Sequence, residues 1–192
     1  MAEKKQDKEA IKSIEVFERQ TNRMKNLVDQ LLQMTAIDRK GTTFSIEDID
    51  VRDVIESACD DIAYIDTKHI TFEYSLQPTI IQANMNLIYI VINNLLSNAV
   101  KYSNEGAKIY VSCGEKDGKS YIRIQDEGCG IEKENISKIF ESFYREKKDR
   151  NAEGFGLGLS QAMKIAELYG GGIYVESTKN KGSIFTFFIP KP

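Results

Sequence analysis

Apolar residues follow two rhythms along this chain: a spacing of three and four that dominates up to about residue 103, and an alternation that takes over beyond it. From about Lys5 to Ile37, Ile14, Phe17, Thr21, Met24, Val28, Leu31 and Thr35 stand alternately three and four apart. These are the a and d positions of a coiled-coil-like seam. Leu27 and Leu32 widen the stripe toward the face expected in a four-helix bundle. No other stretch offers a matching long helix, so the seam is expected to meet its partner in another chain or in sequence upstream. Gly41 ends this element, and Gly41 to Ser45 reads as a connection. Asp50 is placed to cap a second helix, Val51 to about Asp66, with Val54, Ile55, Ala58, Ile62 and Ile65 inward. A strand over His69 to Leu76 follows and is broken by Pro78. Ile80 to Ala83 is expected to pair beside it.

Asn84 then caps a third helix, whose apolar residues (Leu87, Ile88, Ile90, Val91, Ile92, Leu95, Leu96, Ala99, Val100) run almost all the way round. Such a helix should be buried. Its exception is a narrow polar stripe in INNLLSNAVKYS, where Asn94, Asn98 and Lys101 fall at i, i+4 and i+7 on one face. Asn costs up to roughly 0.7 kcal/mol relative to Ala inside a helix, and a buried amide without partners costs more. Something polar must meet the stripe. Neighbouring backbone is one candidate. A triphosphate carrying Mg²⁺ is another, the ion taking the Asn98 carbonyl as an oxygen ligand and the lysine neutralising phosphate.

Beyond residue 103 alternation dominates. Lys108 to Cys113 and Ser120 to Asp126 are joined through Asp117-Gly118, a strong hairpin signal. Leu157 to Tyr169 is an amphipathic helix with Leu159, Ala162, Met163, Ala166 and Tyr169 on one face, and Ile173 to Ser177 pairs with Ser183 to Ile189 across TKNKG. Twelve of the thirteen glycines follow residue 105, as this shift from helix to turns requires. The sum is an α+β, two-layer sandwich of helices over a mixed, largely antiparallel sheet, preceded by a long coiled-coil-like helix.

The 192 residues, 41% hydrophobic, allow one ordinary domain with an appended element. A net charge of −3 with interspersed lysines and arginines leaves no basic footprint for nucleic acid or anionic membrane. MAEKKQDKEA has no apolar segment behind it and reads as no signal peptide, and the aliphatic run Leu87 to Ile92 is far too short to cross a bilayer. Cys59, Cys113 and Cys129 lack CxxC spacing and the single histidine is His69, which argues against zinc and for reduced thiols in a cytosol.

Two further patterns bear on chemistry. Alternation puts Asp126 on the inward face with Ile122 and Ile124, and a charge there needs a donor. Gly128 and Gly130 follow at once and admit a close neighbour. An adenine offering its exocyclic amine to Asp126 and its flat face to the glycines would satisfy both, whereas an ordinary acidic turn is the alternative. Gly154, Gly156 and Gly158 in GFGLGLS open into the last helix, where free amides attract phosphate. The preceding REKKDRNAE reads as a mobile flap. GEKDGKS, Gly114 to Ser120, is one residue short of a Walker A loop and sits in a hairpin.

The order NNLLSNAVKYS, DEGCGI, IFESFYR, GFGLGLS and GSIFTFFIP resembles the catalytic and ATP-binding domain of a sensor histidine kinase, a Bergerat-type ATP-binding fold. The resemblance covers about Asp50 to Pro190. It implies a partial dimerisation and phosphotransfer region over 1–40, its second bundle helix, and a catalytic domain over 41–192. Carried over, it implies that Asn98 holds Mg²⁺, Asn94 supports phosphates and metal, Lys101 contacts phosphate, and Tyr102 lies against the nucleotide. Asp126 would bind the adenine amine, Gly128 and Gly130 line the base, Phe140 and Phe143 anchor the lid, and Arg145 reach the γ-phosphate. Gly154, Gly156, Leu157 and Gly158 would close over the phosphates. The cofactors implied are ATP and Mg²⁺. The partners implied are a response regulator and a second chain along the N-terminal helix, without nucleic acid or membrane contact by this portion. The location implied is cytoplasmic, with room for a membrane anchor elsewhere in the full-length protein.

Departures from the family pattern are specific. Ser142 stands where many relatives carry a basic residue, and Phe155 where Thr or Ser is common. The phosphorylated histidine followed by an acidic residue has no match, and His69 in KHITFEY reads as an ordinary surface or loop residue. Related ATPases of the type II topoisomerase and chaperone kind carry Glu at the place of Asn94 to activate water. An amide cannot serve as that base. A Bergerat-fold ATPase and a non-catalytic dimerisation or nucleotide-binding module are the rival readings.

Overall fold

A computed structural model describes residues 2–39, 43–146 and 154–191. Gly41 and most of the REKKDRNAE segment, which the sequence marks as connection and flap, lie outside the described residues. The chain divides into two compact units, Met1–Thr42 and Thr43–Pro192. The first unit is helix α1, Ala2–Asp38. Its a and d residues Ile14, Phe17, Met24, Val28 and Leu31 are exposed.

In the second unit a short strand β1, Glu47–Asp50, leads into helix α2, Val51–Ile65. Asp50 caps α2 through the backbone amide of Arg52 at 3.0 Å, and its carboxylate also pairs with the Arg52 guanidinium. The buried stripe of α2 is Val51, Val54, Ile55, Ala58, Cys59 and Ile62. Ile65, expected inward, is 73% exposed. It is the last helical residue, and the covered stripe ends a turn earlier.

Strand β2, Thr71–Leu76, and strand β3, Ile80–Ala83, do not pair as the sequence suggested. β3 lies antiparallel to β1, with Ile49 opposite Ile81, while β2 runs parallel to strand β4, Lys108–Lys116. The reason lies in Gln77-Pro78-Thr79. The Gln77 amide holds the end of β2 to the Cys113 carbonyl, Pro78 offers no donor, and the Thr79 carbonyl accepts from Val51 at 3.0 Å.

Helix α3, Met85–Tyr102, is capped by Asn84, whose side-chain oxygen accepts from the Leu87 amide. Leu87, Ile88, Val91, Ile92, Leu95, Leu96 and Ala99 are buried. Each such Leu or Ile contributes roughly 1.5–3 kcal/mol, which fixes α3 as the core around which the sandwich closes. β4 and strand β5, Lys119–Asp126, form the expected hairpin, with Asp117 and Gly118 at φ 51° and 72°, the left-handed pair of a two-residue turn. Gly114 to Ser120 belongs to this hairpin and is no phosphate loop.

After two single 3₁₀ turns, Lys133–Asn135 and Lys138–Phe140, come helix α4, Gly158–Leu168, and strands β6, Gly172–Thr178, and β7, Gly182–Pro190. The main sheet has the order β2-β4-β5-β7-β6, and only the β2–β4 pair is parallel. Ile109 and Val111, Ile122 and Ile124, Phe185 and Phe187 form its buried rows. The buried face of α4 is Ser160, Gln161, Ala162, Ile165 and Ala166, whereas Leu159 and Met163 are only half-buried. α4 packs against α3 as well as β6 and β7, and α3 offers it a polar stripe as well as an apolar wall. No helix among the described residues is long and apolar enough to cross a membrane.

Candidate nucleotide site

The polar stripe of α3 faces a site rather than the packed core. Asn94, Asn98, Lys101 and Tyr102 are all half-buried, between the end of β5 on one side and the start of α4 on the other. Asn94 donates through Nδ2 to the Gln161 side-chain oxygen at 3.3 Å, tying α3 to α4. Asn98 has no side-chain hydrogen bond among the described residues. The backbone alternative is therefore absent for Asn98, and for Asn94 the partner is a side chain.

Alternation places Asp126 as expected, 5% exposed at the end of β5. Its Oδ1 accepts from the Gly128 amide at 2.8 Å and from the Ser183 amide at 3.2 Å. Oδ2 has no protein donor among the described residues. Burial raises the carboxyl's pKa above its ordinary value, and the two amides oppose that rise. The site thus holds an inward carboxylate with one oxygen committed and one available.

The glycines next to it stand where no side chain fits. A Cβ on Gly128 would lie 2.4 Å from the Tyr102 carbonyl oxygen, and one on Gly130, at φ 61°, would lie 2.1 Å from the Thr178 carbonyl oxygen. The Cys129 amide donates to Tyr102 O at 3.3 Å and the Asn180 amide to Cys129 O at 2.8 Å. The turn after β5 is therefore laced to both α3 and the β6–β7 hairpin.

On the other side, a Cβ on Gly158 would lie 2.6 Å from Asn94 Oδ1, and one on Gly154 would lie 3.7 Å from Lys101 Nζ. The glycine segment thus lies directly over the stripe. Leu157 is buried at the N-cap of α4, and no side chain caps the helix, so its first amides lack side-chain acceptors. Arg145 Nη1 donates to the Gly154 carbonyl at 2.8 Å, and the Phe143 amide to the Gly156 carbonyl at 2.9 Å. Phe140 is half-buried in the 3₁₀ turn beside α4. Phe143 is 60% exposed, so its hold on this segment runs through backbone and not through its ring.

His69 is exposed at φ 55° in the loop before β2, outside this constellation. Two participants escaped sequence reasoning: Gln161 and Ser183. Gln161 was hidden because a polar residue on an amphipathic helix reads as solvent-facing. Ser183 stands in GSIFTFFIP but works through its backbone amide, which no residue identity signals.

The family of histidine kinase-, DNA gyrase B-, and HSP90-like ATPases matches residues 83–192. The sensor histidine kinase WalK of Bacillus subtilis (strain 168) is 34% identical over 181 residues, which is 91% of this chain and 30% of WalK. The chain spans about a third of the length of the first curated relatives it matches. Among solved structures, the mycobacterial sensor histidine kinase MprB superposes with TM-score 0.69 at 25% identity, covering 77% of this chain and 99% of MprB. The Acinetobacter baumannii histidine kinase AdeS superposes with TM-score 0.75 at 25% identity, covering 90% and 80%. The chain therefore belongs to the family of histidine kinase-, DNA gyrase B-, and HSP90-like ATPases.

Proposed function

We propose that this chain is the ATP-binding catalytic module of a two-component sensor histidine kinase. It would move the γ-phosphate of Mg-ATP to a histidine outside this chain, for onward transfer to a response regulator. One observation carries the reading: a buried carboxylate with one oxygen that has no protein donor, and a half-buried pair of amides without backbone partners among the described residues, flank one helix end beside glycines where no Cβ would fit.

The residues fit the nucleotide. Asp126 Oδ2 accepts the adenine amine, Gly128 and Gly130 line the base, and Tyr102 lies against it. Lys101 and the first amides of α4 meet the phosphates, and Gly154, Gly156, Leu157 and Gly158 close over them. Asn98 would supply an oxygen to Mg²⁺, with Asn94 supporting it. The metal, when bound, neutralises phosphate charge. Arg145, bonded to the Gly154 carbonyl, would reach the terminal phosphate.

Phosphoryl transfer asks mainly for positioning and charge neutralisation. Activating water asks for a base, and the Asn94 amide cannot be one. Slow turnover of Mg-ATP is the expected behaviour, and self-labelling by γ-labelled ATP is not expected because the only histidine is the loop residue His69. The exposed seam of α1 supports self-association as the second helix of a dimerisation and phosphotransfer bundle. ATP use and three free thiols support a cytoplasmic setting. Calorimetric titration with Mg-ATP tests the proposal: saturable binding is expected, and its absence in the folded protein would overturn it. Rapid multiple turnover abolished by Asn94→Ala would favour the ATPase alternative.

A further inference from the structure

The last four carbonyls of α3, those of Val100, Lys101, Tyr102 and Ser103, have no acceptor role inside the helix. All four are nonetheless engaged. Lys68 Nζ donates to Val100 O at 3.0 Å, Lys101 O at 2.7 Å and Ser103 O at 2.8 Å. The Cys129 amide takes Tyr102 O. An ammonium has three protons, and here each has its own carbonyl. Its charge also sits at the negative end of the helix dipole.

The loop that delivers Lys68 is built for the purpose. Asp66 accepts from the Lys68 amide at 2.9 Å through Oδ1 and from the Ile70 amide at 2.7 Å through Oδ2. The Gly106 amide donates to Lys68 O at 2.8 Å, and His69 takes φ 55° between these anchors. The backbone is thus pinned on both sides of a side chain that reaches more than thirty residues along the sequence.

We propose that Lys68 is a positioning residue of the nucleotide site, gathering the end of α3 so that Lys101 and Tyr102 stay in register with the turn from Asp126 to Gly130. The inference rests on the nucleotide reading above. By taking three carbonyls it leaves only Tyr102 O for the turn. Gly128 packs so closely on that same carbonyl that a small shift of the last helical turn would be felt at Asp126. Phosphate-side and base-side groups are thereby set by one cation that bonds only to backbone carbonyls at the end of the helix.

Lys68→Met keeps the stem and removes all three donors, and Lys68→Gln keeps at most two, uncharged. Mg-ADP affinity is measured at a temperature where circular dichroism shows each variant fully folded, together with exchange of the Cys129 amide. Weakening of about tenfold is expected for Lys68→Met, less for Lys68→Gln, with faster Cys129 exchange while amides of the β4–β5 hairpin stay protected. A cap that only stabilises the fold would lower the melting temperature and leave both the affinity and Cys129 unchanged, and that result overturns the proposal. Should Lys68→Met not fold, Lys68→Gln decides in the same way. Failure of the unsubstituted chain to bind Mg-ADP sinks the nucleotide reading; binding by it with unaltered variants sinks this inference alone.

Discussion

Replacing Asp126 by Asn separates recognition from stability. An asparagine can keep its oxygen where Oδ1 accepts from Gly128 and Ser183, at 2.8 and 3.2 Å, which puts its NH₂ where Oδ2 now stands. The adenine amine would then meet a donor in place of a charged acceptor. Losing a hydrogen bond to a charged group costs about 1.5–3 kcal/mol, so Mg-ATP and ADP affinity should fall about 10- to 150-fold. Stability should move differently. Burial raises the Asp126 pKa, so the folded protein holds that proton more tightly than the unfolded chain does. The stabilisation this brings is fully present below the unfolded value, near 3.8, and is lost as pH rises through the folded value. Asparagine has no such loss. The melting temperature of Asp126→Asn relative to the parent should therefore rise between acid and neutral pH, while nucleotide binding is weakened at neutral pH. Calorimetric titration at neutral pH and melting curves across that range give both quantities. Affinity within twofold of the parent in a folded variant would refute the adenine assignment, and a falling relative stability toward neutrality would refute the burial argument.

Gly128→Ala forces a Cβ to within 2.4 Å of the Tyr102 carbonyl oxygen, a backbone atom with little room to yield. A loss of about 1–3 kcal/mol in denaturant melts is expected, with weaker nucleotide binding when titrated below the melting range. Asn98→Ala removes a side chain that bonds to nothing in the described residues, so stability should stay level or rise by up to roughly 0.7 kcal/mol. The magnesium-dependent part of ATP affinity should disappear, as titration with and without the ion would show. Asp50→Ala deletes the α2 cap and its pairing with Arg52, for about 0.5–2 kcal/mol of stability. Arg52 holds the Asp50 carboxyl below its ordinary value, so this loss should shrink as pH falls through that lowered value, with nucleotide affinity unchanged throughout.

Local signals were legible and distant pairings were not. Asn84 as a cap, the stripe of Asn94, Asn98 and Lys101, the Asp117-Gly118 turn and the inward face of Asp126 each follow from spacing within a few residues. β1 was missed because Glu-Asp-Ile-Asp has almost no strand character. It becomes a strand only because β3, more than thirty residues on, presents an unpaired edge. β3 was assigned the wrong neighbour for the same reason: Pro78 announces a break without saying where the chain goes next. The Asn94–Gln161 and Lys68–α3 contacts have no period at all. The polar stripe showed that partners must exist, and only the fold says which.

The two walls of the cleft differ in what their glycines touch, and this divides the work of binding. Gly128, Gly130 and Gly182 abut backbone atoms of Tyr102, Thr178 and Asp126, all within 2.4 Å of where a Cβ would stand. Backbone against backbone, held by the Cys129 and Asn180 amide bonds, has little room to adjust, so on the proposed reading the base side would be set before any ligand arrives. On the other wall Gly156 also abuts backbone, of Phe143 and Tyr144, but Gly154 and Gly158 face the ends of the Lys101 and Asn94 side chains, which can rotate. Selectivity should therefore reside in the fixed adenine wall, and response to the phosphate tail in the adjustable one. Changing Asp126 would then alter which base binds, whereas changing Asn94 or Lys101 would alter discrimination between diphosphate and triphosphate. On the proposed reading, an amide in place of a carboxylate on the adjustable wall would let it close over phosphate without delivering water to it, the condition a phosphoryl donor would have to meet while it waits for a histidine.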